Sequence, residues 1–436
     1  MIYMWDGDIV LLMINFEKKV LDNGLRVVLA PMNNTEAVTL LVLVGVGSRY
    51  ETEKINGVSH FLEHLFFKGT KSRPKPGQIW RELDRIGAQK NAFTSKEYTG
   101  YYVKAAAKHF DIGLDVVSDI LLEPLFKKEE IEKERGVILQ EIAMYEDNPQ
   151  RQAYDLFEDL MYGDQPAGWD TAGTPETVNN IKRDDILKYK NSHYHASNAV
   201  VAVAGNIDPE VAFSKVERAF KNMSDGRKIT KLKVRERQKN PRVKFKKKDL
   251  DQTHLRLGAR SYEMYDERRY ALQVLATILG GNCSSYLWRE IREKRGLAYY
   301  VGASAEEYTD SGYLLATAGV AHENLPKAVK KIVEIMRHLR TKGVSDKEIN
   351  FAKEYIRGSM ALAFETTDEV ATFLSSQELF YKKIMAPEDI LRKIEAVKRS
   401  DIIKVAKDIF RPEKINLAAI GPHEEGQVYE KILAQI

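Results

Sequence analysis

Residues 58–67 read Val-Ser-His-Phe-Leu-Glu-His-Leu-Phe-Phe, an apolar stretch that contains the pattern His-x-x-Glu-His at His60, Glu63 and His64. Its apolar residues recur three and four positions apart, which predicts a helix with one buried face. On such a helix His60 and His64 lie one turn apart on the same side, so both imidazoles can reach one metal ion. Glu63 projects over the same region and can act as a general base on a water molecule. The stretch therefore predicts a zinc-hydrolase site.

A third ligand must come from elsewhere, because catalytic zinc has three protein ligands and leaves its fourth position to water or substrate. The segment 129–146 is predicted to form a second, partly buried helix, with apolar residues at positions 131, 137, 138, 142 and 144. Glu134 and Glu141 lie seven residues apart, two turns along one face of this helix. We predict that Glu141 is the third metal ligand and that Glu134 is a carboxylate that supports the ligands.

A solvated helix face that matches the motif by chance is the competing interpretation. With 9 histidines and 63 acidic residues in 436 positions, roughly 0.03 patterns of the type His-x-x-acid-His are expected by chance. The metal site is therefore the favoured interpretation.

The order His-x-x-Glu-His followed by a downstream Glu-x6-Glu resembles the inverzincin zinc metallopeptidases of the pitrilysin type. The chain is similar to their shorter, processing-peptidase-like branch, which includes the subunits of mitochondrial processing peptidase. The resemblance covers nearly the whole chain. It rests on the metal motif and on the segments Leu21-Asp-Asn-Gly-Leu-Arg-Val-Val28, Gly45-Val-Gly-Ser-Arg49, Asn91-Ala-Phe-Thr-Ser-Lys-Glu97 and Arg292-Glu-Lys-Arg-Gly-Leu-Ala-Tyr299.

The resemblance implies a role for each matching residue. His60, His64 and Glu141 match the ligands of Zn2+, Glu63 the catalytic base, and Glu134 the supporting carboxylate. Arg292 and Tyr299 match a pair that comes from a C-terminal domain across the cleft and grips the substrate near the scissile bond. The segment that pairs with the backbone of an extended substrate, by β-augmentation, consists of Asn91, Ala92, Phe93 and Thr94. An ordinary core strand is the alternative interpretation of that segment.

The expected fold is α+β, with two homologous domains that each have a mostly antiparallel sheet covered by helices and together form half of a clamshell. Glu97-Tyr98-Thr99 recurs as Glu307-Tyr308-Thr309, which suggests a diverged repeat. The metal motif shifted by the same interval falls on 270–274, where no ligand stands, so we expect one metal site per chain. The predicted units are a catalytic zinc-binding domain at 1–226, a basic linker with the start of a strand at 227–248, and a C-terminal domain with the Arg/Tyr pair at 249–436.

Local patterns predict the elements of both halves. The predicted strands are 25–30, 38–46, 198–204, 242–249, 253–259 and 415–420, with a hairpin or edge strand at 91–103. The predicted helices are 57–68, 76–87, 108–122, 128–147, 266–280, 284–294, 323–342, 346–363 and 367–381.

Composition limits the other classes of function. The segment 227–248 holds 12 Lys or Arg residues and one Glu. Its single aromatic residue, Phe245, and its alternating pattern favour a solvated linker and edge strand over a nucleic-acid surface.

The chain has no apolar run of the ~20 residues that a membrane span needs. The single cysteine, Cys283, fits a reducing compartment and is expected to be packed, so we expect a cytoplasmic protein. Residues 1–12 are interpreted as a short extension or as the result of an upstream start codon.

These observations predict a zinc-dependent endopeptidase that processes or clears peptides or unfolded polypeptides. Because the chain carries both the metal motif and the Arg292/Tyr299 pair, a homodimer with two sites would be self-sufficient, while a heterodimer is possible. The alternatives are a non-catalytic peptide-binding or structural subunit of a heterodimer, and a zinc hydrolase that acts on a non-peptide substrate.

Overall fold

The computed structural model describes residues 14–424 and 427–436, so the predicted extension at 1–12 lies outside the described residues. Two sheets organise the chain. The first contains β1 Glu17–Val20, β2 Arg26–Pro31, β3 Ala37–Val44, β4 Gln89–Thr94, β5 Thr99–Ala106 and β6 Ala199–Gly205, and the second contains β7 Arg242–Lys247, β8 Thr253–Arg260, β9 Ala298–Glu307, β10 Gly312–Val320 and β11 Ile415–Gly421.

Helices connect and cover the strands. They are α1 Val58–Phe66, α2 Gln78–Asp84, α3 Phe110–Leu122, α4 Lys128–Glu146, α5 Pro149–Tyr162, α6 Pro175–Asn180, α7 Arg183–His193, α8 Pro209–Phe220, α9 Arg269–Gly280, α10 Leu325–Thr341, α11 Asp346–Ala363, α12 Thr367–Phe380, α13 Pro387–Glu395, α14 Arg399–Ile409 and α15 Gln427–Leu433. Within the described residues, no helix combines the length and the apolar character that crossing a bilayer would require.

The two sheets have equivalent strand orders, apart from the additional edge strand β1 in the first sheet. The first has the order β1-β2-β6-β3-β5-β4 and the second the order β7-β11-β8-β10-β9. In each sheet one pair is parallel, β2 with β6 and β7 with β11, and the other pairs are antiparallel. The repeated tripeptides at Glu97 and Glu307 fall at equivalent hairpins, β4–β5 and β9–β10. The predicted fold class, α+β with two homologous domains, is confirmed.

Each half contributes one helix to the sheet of the other half. Helix α5 packs on the second sheet, where Phe157 and Met161 join a buried cluster with Tyr313. Helix α12 packs on the first sheet, where Val370 and Leu374 are buried against strands β2, β3 and β6. Both faces of each sheet are therefore covered, which explains why the central strands are continuous runs of buried apolar residues. The predicted unit boundaries along the chain stay a prediction.

A buried ionic cluster joins the halves. The Arg49 guanidinium contacts Glu97 at 2.6 Å and Asp310 at 2.7 Å, and it is 1% exposed. Lys231 contacts the same two carboxylates, at 3.2 and 2.8 Å, and Glu97 also accepts a hydrogen bond from the Thr309 backbone N–H. Lys231, in the predicted solvated linker, is mostly buried in this cluster, whereas the edge strand predicted from residue 242 is present as β7.

Two other expectations differ from the structure. The predicted helix at 284–294 is shorter in the structure, at 286–293, and most of it is a π-helical segment, Trp288–Glu293, which carries Arg292. Cys283 was expected to be packed, but it is exposed, because it lies in the turn between α9 and this segment.

Candidate active site

Helix α1 carries the metal motif, and its N-terminus is held by a buried carboxylate. The helix begins after Gly57, whose φ of +95° is left-handed and which provides no side-chain cap. Glu51, from the preceding loop, accepts hydrogen bonds from the backbone N–H groups of Gly57 (2.7 Å) and Ser59 (2.8 Å) and from the Asn56 amide (3.0 Å). A carboxylate at this position satisfies free N–H groups and favours the positive end of the helix dipole. Glu51 therefore anchors the helix one turn before the first predicted ligand.

Replacing Glu51 by alanine is expected to destabilise the protein. The variant leaves two buried N–H donors without an acceptor, so we expect the free energy of unfolding to fall by about 2–4 kcal/mol. Denaturant unfolding at pH 8 measures the effect, because burial raises the pKa of Glu51 to about 7 and the carboxyl is ionised above that value. The control is Glu53→Ala, an exposed residue of the same loop, for which a change of about 0.5 kcal/mol or less is expected. Equal stability of the two variants would contradict the anchoring role.

His60, His64 and Glu141 come together at one point between α1 and α4. Glu141 Oε2 lies 3.5 Å from His60 Nε2 and 3.3 Å from His64 Nε2. One ligand atom from each of the three residues lies within 4.8 Å of the other two, and within residues 14–424 and 427–436 no other group of three such side chains meets this criterion. The structure thus brings together two residues of one helix and one residue 77 positions later.

These distances fit a shared zinc ion. Two ligand atoms at about 2.0–2.1 Å from a tetrahedral zinc lie about 3.3–3.4 Å apart, which agrees with the contacts of Glu141. Two imidazoles and one carboxylate are also a donor set that catalytic zinc uses, with one position left open. The residues present therefore fit the metal.

Two of the three side chains, His60 and Glu141, are already in the protonation state that binds a metal. Burial, with the nearby His64 as the second cause, lowers the pKa of His60 to about 4, so its ring is neutral at pH 7. Burial also lowers the pKa of His64, but hydrogen bonds with Glu134 and Glu141 outweigh it and raise the pKa to about 9. The hydrogen bond with His64 is the main cause that lowers the pKa of Glu141 to about 2. A bound metal would replace the proton that His64 carries in its absence.

Supporting contacts surround the ligands. His64 Nδ1–H donates to Glu134 Oε2 at 3.2 Å, which leaves Nε2 to face Glu141, and the Lys68 ammonium holds the other oxygen of Glu134 at 2.6 Å. The Tyr145 hydroxyl donates to Glu141 Oε1, so Oε2 is the oxygen left to face the two imidazoles. Such contacts orient metal ligands. Sequence analysis had named Glu134 but missed Lys68 and Tyr145.

The Glu63 side chain lies beside the predicted ligands and accepts a hydrogen bond from a residue of the edge strand β4. The Thr94 hydroxyl donates to Glu63 Oε2 at 2.6 Å. Burial raises the pKa of Glu63, and this hydrogen bond partly opposes the increase. A carboxylate with a raised pKa is a better proton acceptor near neutral pH than an exposed one.

A cavity of about 670 Å³ contains all five of these groups: His60, Glu63, His64, Glu134 and Glu141. Asn91, Ala92, Phe93 and Thr94 also line it, on strand β4, at the edge of the first sheet. Glu306 and Tyr308, from the second half of the chain, also line the cavity. An extended peptide could therefore add to the β4 edge beside the metal ligands.

Arg292 and Tyr299 are not among the residues that line this cavity. They lie next to each other, with the guanidinium carbon 5.5 Å from the centre of the tyrosine ring, and Tyr299 is 77% exposed. Within one chain this predicted pair therefore lies outside the cavity that holds the predicted metal ligands.

Comparison with known proteins identifies the family. The family model described as Insulinase (Peptidase family M16) matches residues 26–175, and the model described as Peptidase M16 inactive domain matches residues 180–356. The chain belongs to peptidase family M16. The second of these M16 domains is the half in which the shifted motif has no ligands.

Relatives in the M16 family match along most of their length. A Bacillus subtilis protein named uncharacterized zinc protease YmxG is 37% identical over 92% of this chain and 97% of its own. A Streptomyces coelicolor protein, uncharacterized zinc protease SCO5738, is 35% identical over 93% and 90%. The crystal structure of a protease from Helicobacter pylori has a TM-score of 0.87 at 26% identity and covers 94% of this chain and all of that one. The sequence-based recognition of the family is confirmed.

Proposed function

We propose that the chain is a zinc-dependent endopeptidase that hydrolyses peptides or unfolded polypeptides, in precursor processing or in peptide clearance. The observation that carries the proposal is the spacing of His60, His64 and Glu141, which matches a zinc tetrahedron, with Glu63 beside it in one cavity. The names of the relatives support a peptidase but do not describe a substrate.

Each of these residues has a separate role in the proposed reaction. Zinc, held by His60, His64 and Glu141, would supply Lewis acidity that lowers the pKa of a water molecule and polarises the peptide carbonyl. Glu63 takes a proton from the attacking water and returns it to the leaving amine. Glu134 keeps His64 in the tautomer whose Nε2 faces the metal position.

Strand β4 is the proposed substrate-binding element. Its main-chain N–H and C=O groups on the side away from β5 have no strand partner in the described sheet. An extended peptide that pairs with them is held by its backbone, so many side chains are tolerated. This mode requires an unfolded substrate, because a folded protein does not present a free extended segment.

We propose a homodimer, because Arg292 and Tyr299 lie outside the cavity of their own chain. In the dimer, the pair from one subunit would face the metal centre of the other, where Tyr299 donates a hydrogen bond to the developing oxyanion and Arg292 holds a substrate carbonyl. A heterodimer in which this chain only binds peptide is the second candidate.

We also propose a cytoplasmic location, on the basis of the single cysteine. Recovery of the protein outside the cytoplasm after cell fractionation would contradict this location.

The test of the proposed function is cleavage of a mixed peptide library by the purified protein before and after metal removal. We expect cleavage within peptides by the zinc-loaded protein, loss of cleavage after treatment with a chelator, and recovery when zinc is restored. Activity that survives complete removal of metal would contradict the proposal. No cleavage by protein that holds one zinc per chain would favour the peptide-binding subunit.

A further inference from the structure

The Glu63 carboxylate has one hydrogen-bond partner among the residues that the structure describes, the hydroxyl of Thr94. The bond joins Oγ1 to Oε2 at 2.6 Å, a distance typical of a hydroxyl that donates to an ionised carboxylate. None of the three predicted metal ligands forms a hydrogen bond with Thr94. The contact thus acts on the proposed base and not on the metal position.

Thr94 belongs to the element that we propose binds the substrate. It is the last residue of β4, where it pairs with Thr99 of β5, and it lines the cavity with the residues before it. Its backbone therefore lies on the free edge of the sheet, while its side chain reaches the base on α1. One residue links the substrate strand to the base.

We propose that Thr94 is a positioning residue for Glu63. Its hydroxyl fixes Oε2 and leaves Oε1 free to take the proton, and it sets the base relative to a peptide that pairs with β4. The inference rests on the proposed function and deepens it. A substrate that pairs with β4 would then meet a base already oriented by the same strand, which lowers the entropy cost of reaching the reactive geometry.

The role predicts an effect on turnover and a smaller effect on substrate affinity. Thr94→Val keeps the shape and the β-branched side chain that suits a strand, but it removes the hydroxyl. We expect kcat on a peptide substrate to fall about 10- to 100-fold while KM changes less than about threefold, because the base is misplaced and the backbone edge is intact. Thr94→Ser restores the hydroxyl, so its kcat is expected within about threefold of wild type.

The experiment compares wild type, Thr94→Val, Thr94→Ser and the control Thr230→Val, which makes the same chemical change outside β4. Thr230 is exposed, belongs to no strand or helix and does not line the cavity, so its variant is expected to keep the wild-type kcat. Zinc content and melting temperature are measured on all four proteins and are expected to be equal. A crystal structure of Thr94→Val should show the Glu63 carboxylate moved from its wild-type position.

The outcomes separate this inference from the proposed function. With an active wild type, a Thr94→Val protein that retains full kcat, or a Thr94→Ser protein as impaired as the valine variant, would overturn the positioning role alone. A wild type that holds zinc and cleaves nothing would overturn the proposed function and the role of Thr94 with it. A fall in kcat that serine restores, at equal zinc content, supports the inference.

Discussion

Replacing Glu63 by glutamine is expected to lower the rate of peptide cleavage by about 10²–10⁴-fold while zinc stays bound. The amide has almost the shape of the carboxylate and can still accept the Thr94 hydrogen bond, but it cannot take a proton from water. Because Glu63 is not one of the three side chains that converge on the metal position, the zinc content should equal that of wild type. Cleavage rates and zinc content measured on the same preparations test both statements.

The matched control for this substitution is Glu129→Gln, at an exposed position in the first turn of α4. It makes the same chemical change far from the cavity lining and is expected to leave the rate unchanged. Wild-type rates for Glu63→Gln would show that another group acts as the base. Loss of zinc from Glu63→Gln would show instead that Glu63 contributes to metal binding.

Two inactive variants are expected to restore activity when they share a dimer. Glu63→Gln lacks the base but keeps Arg292 and Tyr299, whereas the double variant Arg292→Ala, Tyr299→Phe keeps the base and lacks the pair. If the pair acts on the partner's site, a mixed dimer has one complete site. With random pairing of equal amounts, about half of the dimers are mixed and about a quarter of all sites are complete.

Co-expression with two different affinity tags gives the mixed dimers, and their activity is compared with that of each variant alone. Recovery to about a quarter of wild-type activity in the unseparated mixture supports the dimer with shared sites. A mixture no more active than the sum of its parts would show that the pair does not act between subunits. The position of Arg292 and Tyr299 outside the cavity of their own chain is the reason to expect recovery.

The metal motif was predictable because His60, Glu63 and His64 are local. A helix of 3.6 residues per turn fixes their relation, so periodicity alone gave the face they share. Glu141, 77 residues later, was predicted as the third ligand from its place on a second, partly buried helix, and the resemblance to known peptidases supports the choice of Glu141 over Glu134. Tyr145 could have been found, because it stands four residues after Glu141 and therefore on the same helix face.

Contacts between distant segments could not be predicted. Helix α5 has an apolar face, but its sequence does not show that this face packs on the sheet of the other half. The repeated tripeptides suggested homology between the hairpins, yet nothing in them indicated that Glu97 and Thr309 bind each other. The same holds for Arg292 and Tyr299, because their distance from the metal ligands depends on how the two halves pack.

Diffraction from crystals of Glu63→Gln with zinc and a peptide would test the central claim most directly. Anomalous scattering at the zinc edge should place one ion between His60 Nε2, His64 Nε2 and Glu141 Oε2, at about 2.0–2.2 Å from each atom, with the peptide paired to β4 as an added strand. Zinc bound by other residues, or a peptide bound away from β4, would contradict the account.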